Sequence, residues 1–358
     1  MLRVVHVIGR MPGHGTQRQL AGMLRSAHGN LWDATLAILR AGDPLAKEVA
    51  DANVPVVEFA GRDGDPRRFL WLRRLISSAD VVHSSLWGAN AYARLVAGSR
   101  SRRPAVVISE RSVEEFRPPA RRRVDRALRR WTEAYIANSS AVAAFVASAH
   151  GVPAARVTVI RNGIDRSIFF PERAFREREG SARLGAVSRL IPEKGLDVLI
   201  AAMPKIVATQ PVVLTVVGDG PERPVLERQA RGLPVSFAGY MGAPSDVASF
   251  LRSLDLFIMP SRWEGFPNAL LEALACGVPV VATDVPGVTE ATGGHALLVP
   301  ADQPAALAEA VCRALSSPDR PTVSLNSFDD VAAAHLAVFE RAHARRDPTK
   351  WPEASPSG

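Results

Sequence analysis

Residues 256–283 read LFIMPSRWEGFPNALLEALACGVPVVAT. Four apolar residues, Leu256–Met259, stop at Pro260, a Gly/Pro loop follows, and Asn268 is placed to cap a helix running to about Cys276. A second apolar run, Val278–Ala282, starts after Gly277. Apolar strands without polar alternation, joined by a helix, belong to a parallel sheet covered on both faces. In such a sheet the free N–H groups of Gly265–Ala269 face the region beyond the strand's carboxyl end, where open α/β sheets bind ligands and a helix N-terminus favours phosphate. Glu264 stands on the loop and Glu272 one turn into the helix, so the two can reach different parts of one elongated ligand. Carboxylates beside an anion site are tolerated when they accept hydrogen bonds from sugar hydroxyls, which a nucleotide-sugar offers at both ribose and hexose.

The same rhythm fills the chain. Strand candidates in the first half are Val4–Ile8, Thr35–Leu39, Val54–Glu58, Val81–His83, Ala105–Ser109, Ala134–Ala137 and Val157–Ile160. In the second half they are Arg183–Val187, Val212–Val217, Val235–Ala238, Leu256–Met259, Val278–Ala282 and Leu297–Val299. The 358 residues suffice for two domains, and two consecutive strand sets predict two doubly wound α/β domains, 1–170 and 181–325. The polar segment Pro171–Ser181 is the expected boundary. A helix over 326–346, capped by Asn326 or Ser327, is expected to pack back toward the first domain, and the tail 347–358, with three prolines, to be disordered.

Composition narrows the function. An apolar fraction of 47% with 22% charged residues excludes wholesale disorder, and no run is long enough to span a bilayer. Two cysteines, Cys276 and Cys312, cannot build a disulfide framework or a Cys-rich zinc site, which points to a reducing, cytoplasmic compartment. The net charge of +8 is uneven: residues 1–170 carry 26 basic and 14 acidic side chains (+12), the remainder 18 and 22 (−4). Only the first half is expected to face something anionic. Arg121, Arg122, Arg123, Arg126, Arg129 and Arg130 surround Val124, Leu128, Trp131 and Tyr135 at helical spacing, the pattern of a basic amphipathic helix suited to anionic lipid.

Ser188-Arg189-Leu190-Ile191-Pro192-Glu193-Lys194-Gly195 follows the second domain's first strand. Two cations five residues apart on a loop can clamp both phosphates of a diphosphate, and Lys194 is one of only four lysines among forty arginines. Val217-Gly218-Asp219-Gly220-Pro221 ends another strand. Together with Ser261, Gly-Phe-Pro-Asn and Glu-Ala-x-Ala-x-Gly-x-Pro-Val-Val, these segments resemble the Glu-x7-Glu, Arg-x4-Lys and Gly-Asp-Gly-Pro motifs of retaining GT-B glycosyltransferases, glycosyltransferase family 4. The resemblance spans roughly residues 3–340 and also covers Asn162-Gly163-Ile164-Asp165 and Thr283–Glu290, where Glu290 is expected to order a wall of the site. In the first half, Gly13-His14-Gly15-Thr16-Gln17-Arg18-Gln19 resembles the family's Gly-Gly-x-Glu/Gln-Arg loop, with His14 in place of a glycine. Asp80–Trp87 resembles its Asp-Val-Val-His-x-His stretch, with Ser85 at the second histidine. Glu110-Arg111 stands where many members carry a histidine.

The resemblance implies a GT-B fold, two Rossmann-like domains facing a cleft, with donor on the second and acceptor on the first. It implies a retaining, metal-independent hexosyltransferase without cofactor, acting from a nucleoside-diphosphate sugar, UDP rather than GDP, on a glycan or lipid-linked glycan. Arg189, Lys194 and Glu264 are the catalytic candidates. Gly15, Gly218, Gly265, Phe266, Pro267, Asn268, Ala269 and Glu272 are the donor-binding candidates, and His83, Glu110 and Arg111 stand on the acceptor side. No metal ligands and no nucleic-acid partner are expected. A same-fold nucleotide-sugar epimerase or hydrolase and a non-catalytic sugar-nucleotide binder are the alternatives.

Overall fold

The computed structural model describes residues 1–113, 118–171, 180–316, 321 and 323–346. Its chain forms two compact units, Met1–Gly163 with Asn326 onward, and Ile164–Leu325. In unit 1 the strands are β1 (Arg3–Ile8), β2 (Asp33–Ile38), β3 (Val56–Glu58), β4 (Val81–Ser85), β5 (Ala105–Glu110), β6 (Ala134–Ala137) and β7 (Val157–Val159). They form one sheet in the order β3-β2-β1-β4-β5-β6-β7, and every pair is parallel. The helices between them are α1 (Gly15–Ala27), α2 (Pro44–Ala50), α3 (Arg67–Leu75), α4 (Trp87–Gly98), α5 (Pro119–Leu128) and α6 (Ser140–His150). β4 and β5 are buried along their whole length, including His83, Ser84, Ser85, Ser109 and Glu110 at their carboxyl ends.

Unit 2 repeats the plan with β8 (Ala182–Val187), β9 (Val212–Val217), β10 (Val235–Gly239), β11 (Leu256–Met259), β12 (Val280–Thr283) and β13 (Leu297–Val299), ordered β10-β9-β8-β11-β12-β13 and all parallel. Its helices are α7 (Leu196–Thr209), α8 (Arg223–Gln229), α9 (Pro244–Arg252), α10 (Asn268–Ala275), α11 (Pro286–Thr292) and α12 (Pro304–Ser316). The strand order reverses between β8 and β11, so the crevice at their carboxyl ends is the topological switch point.

The boundary between units falls at Gly163–Ile164, earlier than the polar segment after Phe170. Ile164 and Phe169 are apolar side chains buried in the core of unit 2, and Arg252 holds the carbonyl of Ile168 at 3.0 Å. The expected linker residues 172–179 and tail 347–358 lie outside the described residues. The last helix, α13 (Phe328–Ala344), belongs to unit 1 and lies against α1. Ser327 caps it: its hydroxyl accepts from Asp330 N–H, and the Asp330 carboxylate accepts from Ser327 N–H at 2.8 Å, a reciprocal box. A Cβ at Gly22 would stand 2.3 Å from the Phe328 ring, so this glycine lets α13 approach α1.

Beneath α13 the unit 1 core holds polar rings. Trp32 Nε1–H donates to His6 Nε2 at 3.1 Å, which fixes the His6 proton on Nδ1. His6 Nδ1–H then donates to His83 Nδ1 at 3.0 Å, and His83 Nε2–H to Ser109 Oγ at 2.7 Å. His335 donates from Nδ1 to the Val331 carbonyl at 2.8 Å, while its buried Nε2 meets no partner among the described residues. Burial, reinforced by neighbouring positive groups, lowers the pKa of His6 and of His335 to about 3 and holds His83 well below the ordinary histidine range.

This wiring predicts acid sensitivity. Above the unfolded histidine value of about 6.5 these rings are neutral in both states; below it the unfolded chain takes up protons that the native core refuses. Stability should be flat above pH 7, then fall as pH drops from about 6.5 toward 3, by up to about 1.4 kcal/mol per pH unit for each histidine. Urea unfolding between pH 8 and pH 5 checks this, and His335→Leu should remove one histidine's share of the slope.

Candidate active site

Two loops meet at the switch point of unit 2. The loop after β8 is fixed on one side by the loop after β9: Ser188 N–H donates to Val217 O at 3.0 Å and Leu190 N–H to Asp219 O at 3.0 Å. This approach requires glycine. Gly218 has φ +130°, and a Cβ there would stand 1.8 Å from Ser188 O; one at Gly220 would stand 2.4 Å from Leu190 O. Gly218, expected among the donor-binding residues, is thus placed against the Ser188 backbone. On the other side the loop meets the one after β11, where a Cβ on Gly195, at φ +61°, would lie 2.0 Å from Pro260 O. Val187, Ser188, Lys194, Pro260 and Ser261 line the small crevice between them.

The crevice brings two catalytic candidates together. Lys194 Nζ donates to Glu264 Oε1 at 2.6 Å, and Ser261 Oγ–H donates to the same oxygen at 2.9 Å. Both ionic side chains are mostly buried, 21% and 11% exposed, so the pair is more than a surface contact. Ser188 Oγ is buried without a partner among the described residues and belongs to the same lining. Arg189, the other expected clamp residue, is exposed and makes no ion pair among the described residues. Glu272 is half-buried on α10.

Asn268 does not cap α10. It is the helix's first residue, and Pro267 occupies the preceding extended position at φ −77°. The ring of Pro267 removes an N–H from the expected Gly265–Ala269 set, leaving Gly265, Phe266, Asn268 and Ala269 as the residues that carry one. Gly265, Phe266 and Pro267 are buried, and Gly287 of α11 packs under the loop so closely that a Cβ would stand 2.4 Å from Glu264 O. Glu290 is half-buried on α11.

Arg262 has no assigned role in the sequence reading. Its backbone N–H donates to Glu193 O at 2.8 Å, and its guanidinium reaches Asp302 at 2.8 Å, Asp197 at 2.7 and 3.0 Å, and the Pro192 carbonyl. The Asp197 bonds raise the Arg262 pKa; burial pushes the Asp197 carboxyl up, but the Arg262 fork and charge together with the Asp197 and Val198 backbone N–H groups hold it below its ordinary value. An acidic residue two positions beyond Gly195 and an arginine after Ser261 were the available signals.

In unit 1, Gly15 begins α1. Gln19 reads the backbone of Gly163 with both ends of its amide, at 2.8 and 2.9 Å. The acceptor-side candidates separate. His83 is fully buried with both ring nitrogens engaged in the core, so it cannot touch an acceptor. Glu110 is buried at the end of β5, with Asn90 Nδ2 at 3.4 Å. Arg111 is half-buried and donates to Asn162 Oδ1 at 2.8 Å.

The basic helix is shorter than its pattern. α5 ends at Leu128, Tyr135 belongs to β6, and Trp131 packs its ring over Gly98 of α4 rather than standing free. Asp125, on the inner face of α5, pairs with Arg94 of α4 at 2.7 Å with both side chains wholly buried. The outer faces of neighbouring α3, α4 and α5 expose Leu70, Leu95 and Val124 among Arg67, Arg73, Arg74, Arg121, Arg123 and Arg126. Among the described residues no three His, Cys, Asp or Glu gather as a metal cluster, and no helix is long and apolar enough to cross a membrane.

The chain is similar to known proteins in sequence and fold. Residues 13–168 match the family model "Glycosyltransferase Family 4" and residues 181–317 match "Glycosyl transferases group 1". The lipopolysaccharide core biosynthesis mannosyltransferase LpsB of Rhizobium meliloti (strain 1021) is 32% identical over 234 residues, 59% of this chain and 64% of the relative. The GDP-mannose-dependent alpha-(1-6)-phosphatidylinositol dimannoside mannosyltransferase of Mycobacterium tuberculosis (strain ATCC 25177 / H37Ra) is 34% identical over 176 residues, 47% of this chain and 46% of the relative. The matched region is therefore under two thirds of either relative's own length. Among solved structures, Anabaena Alr3699/HepE in complex with UDP superposes with a TM-score of 0.75 at 20% identity, covering 97% of this chain and 99% of that one.

The glycine contacts generate a stability prediction. Gly218→Ala adds a Cβ where Ser188 O stands and strains a positive φ, so it should destabilise unit 2 by about 2–5 kcal/mol in urea unfolding. Gly242→Ala, whose Cβ would meet only Tyr240 at 3.8 Å, should stay within about 1 kcal/mol of wild type.

Proposed function

Since the chain belongs to the group 1 and family 4 glycosyltransferases, with their GT-B fold, we propose that it is a retaining, metal-independent hexosyltransferase. It moves a hexose from a nucleoside-diphosphate sugar, UDP rather than GDP, to a glycan or lipid-linked glycan. The single observation that carries this reading is the Lys194–Glu264 pair at the topological switch point of unit 2. The cation there can meet a diphosphate, and the carboxylate can meet the sugar attached to it.

The bond from the anomeric carbon to the leaving phosphate oxygen breaks, and a bond to the acceptor oxygen forms on the same face. The acceptor's proton passes to the departing phosphate, whose negative charge grows as the bond lengthens. Preorganised cations and N–H groups are worth most at that moment. Lys194 gives one N–H to Glu264 and keeps two for phosphate oxygens. Arg189 supplies the second charge, and the Ser188 hydroxyl, without a partner among the described residues, is a further donor. Glu264 Oε1 accepts from Lys194 and Ser261, which leaves Oε2 for a hexose hydroxyl. Glu272 accepts from ribose hydroxyls, and the amides of Gly265, Phe266, Asn268 and Ala269 face the donor. Glu110 and Arg111 handle the acceptor. Incubation with UDP- and GDP-hexoses and a glycan panel tests the reading; nucleotide released without a glycosylated product would favour an epimerase or hydrolase. Lys194→Ala and Arg189→Ala should each lower turnover about 10²–10³-fold with the fold intact, and near-normal turnover in both would misplace the clamp.

Unit 1 works from the cytoplasmic face of a membrane, as a peripheral enzyme. The support is the exposed layer of α3, α4 and α5, where arginines alternate with Leu70, Leu95 and Val124. Each arginine near an anionic surface contributes about 1 kcal/mol, falling off within a Debye length. In vesicle sedimentation the protein should bind phosphatidylglycerol-containing but not pure phosphatidylcholine vesicles, release in high salt, and bind weakly with Arg74, Arg123 and Arg126 changed to Gln. Equal recovery in every supernatant would leave the layer a solvated face.

A further inference from the structure

Four of the five N–H groups of Arg262 are committed: one to Asp302, two to Asp197 and one to the Pro192 carbonyl. An arginine so engaged has little left for a ligand. Its partners instead lie on three separate segments. Pro192 and Glu193 precede Lys194 on its one-turn helix, Asp197 sits in the first turn of α7, and Asp302 follows β13. Arg262 itself stands two residues before Glu264, and its backbone N–H is bonded to Glu193 O. The loop carrying the cation and the loop carrying the carboxylate are therefore joined through one planar fork. Asp302 adopts φ +56°, the left-handed region that few side chains other than Asp or Asn tolerate, and from there its carboxylate accepts from Arg262 Nε.

We infer that Arg262 is a positioning residue for the transfer reaction, a staple that sets the distance between Lys194 and Glu264 without touching the substrate. The inference rests on the transferase reading above. A lysine would meet one partner as a point charge and leave the other two unbridged, so the fork's geometry and not its charge is what the site uses. Because a misplacement of about 1 Å can cost 10²-fold in rate, loosening the staple should show in turnover before it shows in nucleotide affinity.

The test compares the full chain with Arg262→Gln, Arg262→Lys, Asp197→Asn and the Arg262→Gln/Asp197→Asn pair. Hydrogen exchange of the wild type and Arg262→Gln, with no ligand, should show at least about 10-fold faster exchange in residues 188–195 and unchanged exchange in β9. Turnover per folded molecule should fall about 10–100-fold in Arg262→Gln and within a few fold of that in Arg262→Lys, with the Kd for UDP shifted less than about threefold. The double variant should lose no more than the worse single one, as expected for partners in one contact. Unchanged exchange in 188–195, or turnover within about threefold of wild type in folded Arg262→Gln, would overturn the inference. A wild-type chain that binds neither UDP nor GDP would instead overturn the transferase reading, and the exchange comparison would still decide whether Arg262 holds the loops.

Discussion

The carbonyl of Pro260 occupies the space a side chain on Gly195 would need, and the rest of the site depends on that contact. It brings the end of β11 against the loop from β8, so that residues seventy positions apart share one small crevice. Every other feature of the site maintains this closeness. Gly218 and Gly220 let the β9 turn support the loop from behind, Gly287 lets α11 support Glu264 from below, and Arg262 fastens the two loops at their outer edge. The chemistry of the pair is then local. Ser261 and Lys194 both donate to one Glu264 oxygen, which orients the carboxylate and keeps a lysine ammonium extended in a largely dry place.

Much of this was legible in the sequence because apolar runs and glycines carry strong local signals. All thirteen strands of the described residues overlap expected runs such as Val212–Val217 and Leu297–Val299; β4 and β5 are buried throughout, while the edge strands β3, β7 and β10 stay partly exposed. Glu264 and Lys194 were legible as loop residues after strands, although their direct pairing was not, because spacing says nothing about distance across a sheet. Asn268 misled because its side chain suits a cap; the ring of Pro267 instead defines the helix entry. His83 misled for a different reason. It ends its run of apolar residues where a site residue would stand, and only the neighbouring Trp32, His6 and Ser109 reveal it as a core group. The amphipathic arginine pattern was half right: the outer face of α5 is basic, but Trp131 and Tyr135 answer to α4 and β6.

Two styles of electrostatics coexist. Unit 1 buries some of its ionisable groups deep, as neutral rings in a fixed proton order and as the wholly enclosed Arg94–Asp125 pair. A buried pair of that kind adds little net stability but is costly to break, so it acts as a constraint on how α4 and α5 lie together. Unit 2 keeps the charges of its candidate site at the rim of the sheet, partly buried and paired from loop to loop.

The path of the chain has a consequence for its synthesis. Unit 2 is an insertion: the polypeptide leaves unit 1 after Gly163 and returns only at Asn326. The residues that complete the unit 1 core, Val331, Ala332, Val338 and Phe339 of α13, therefore emerge from the ribosome only after all of unit 2. During translation the second unit has its whole sequence and can close while the first still lacks one wall over Trp32 and the histidine rings. The unit that starts first finishes second, and its open apolar face is the surface most exposed to misassembly in that interval.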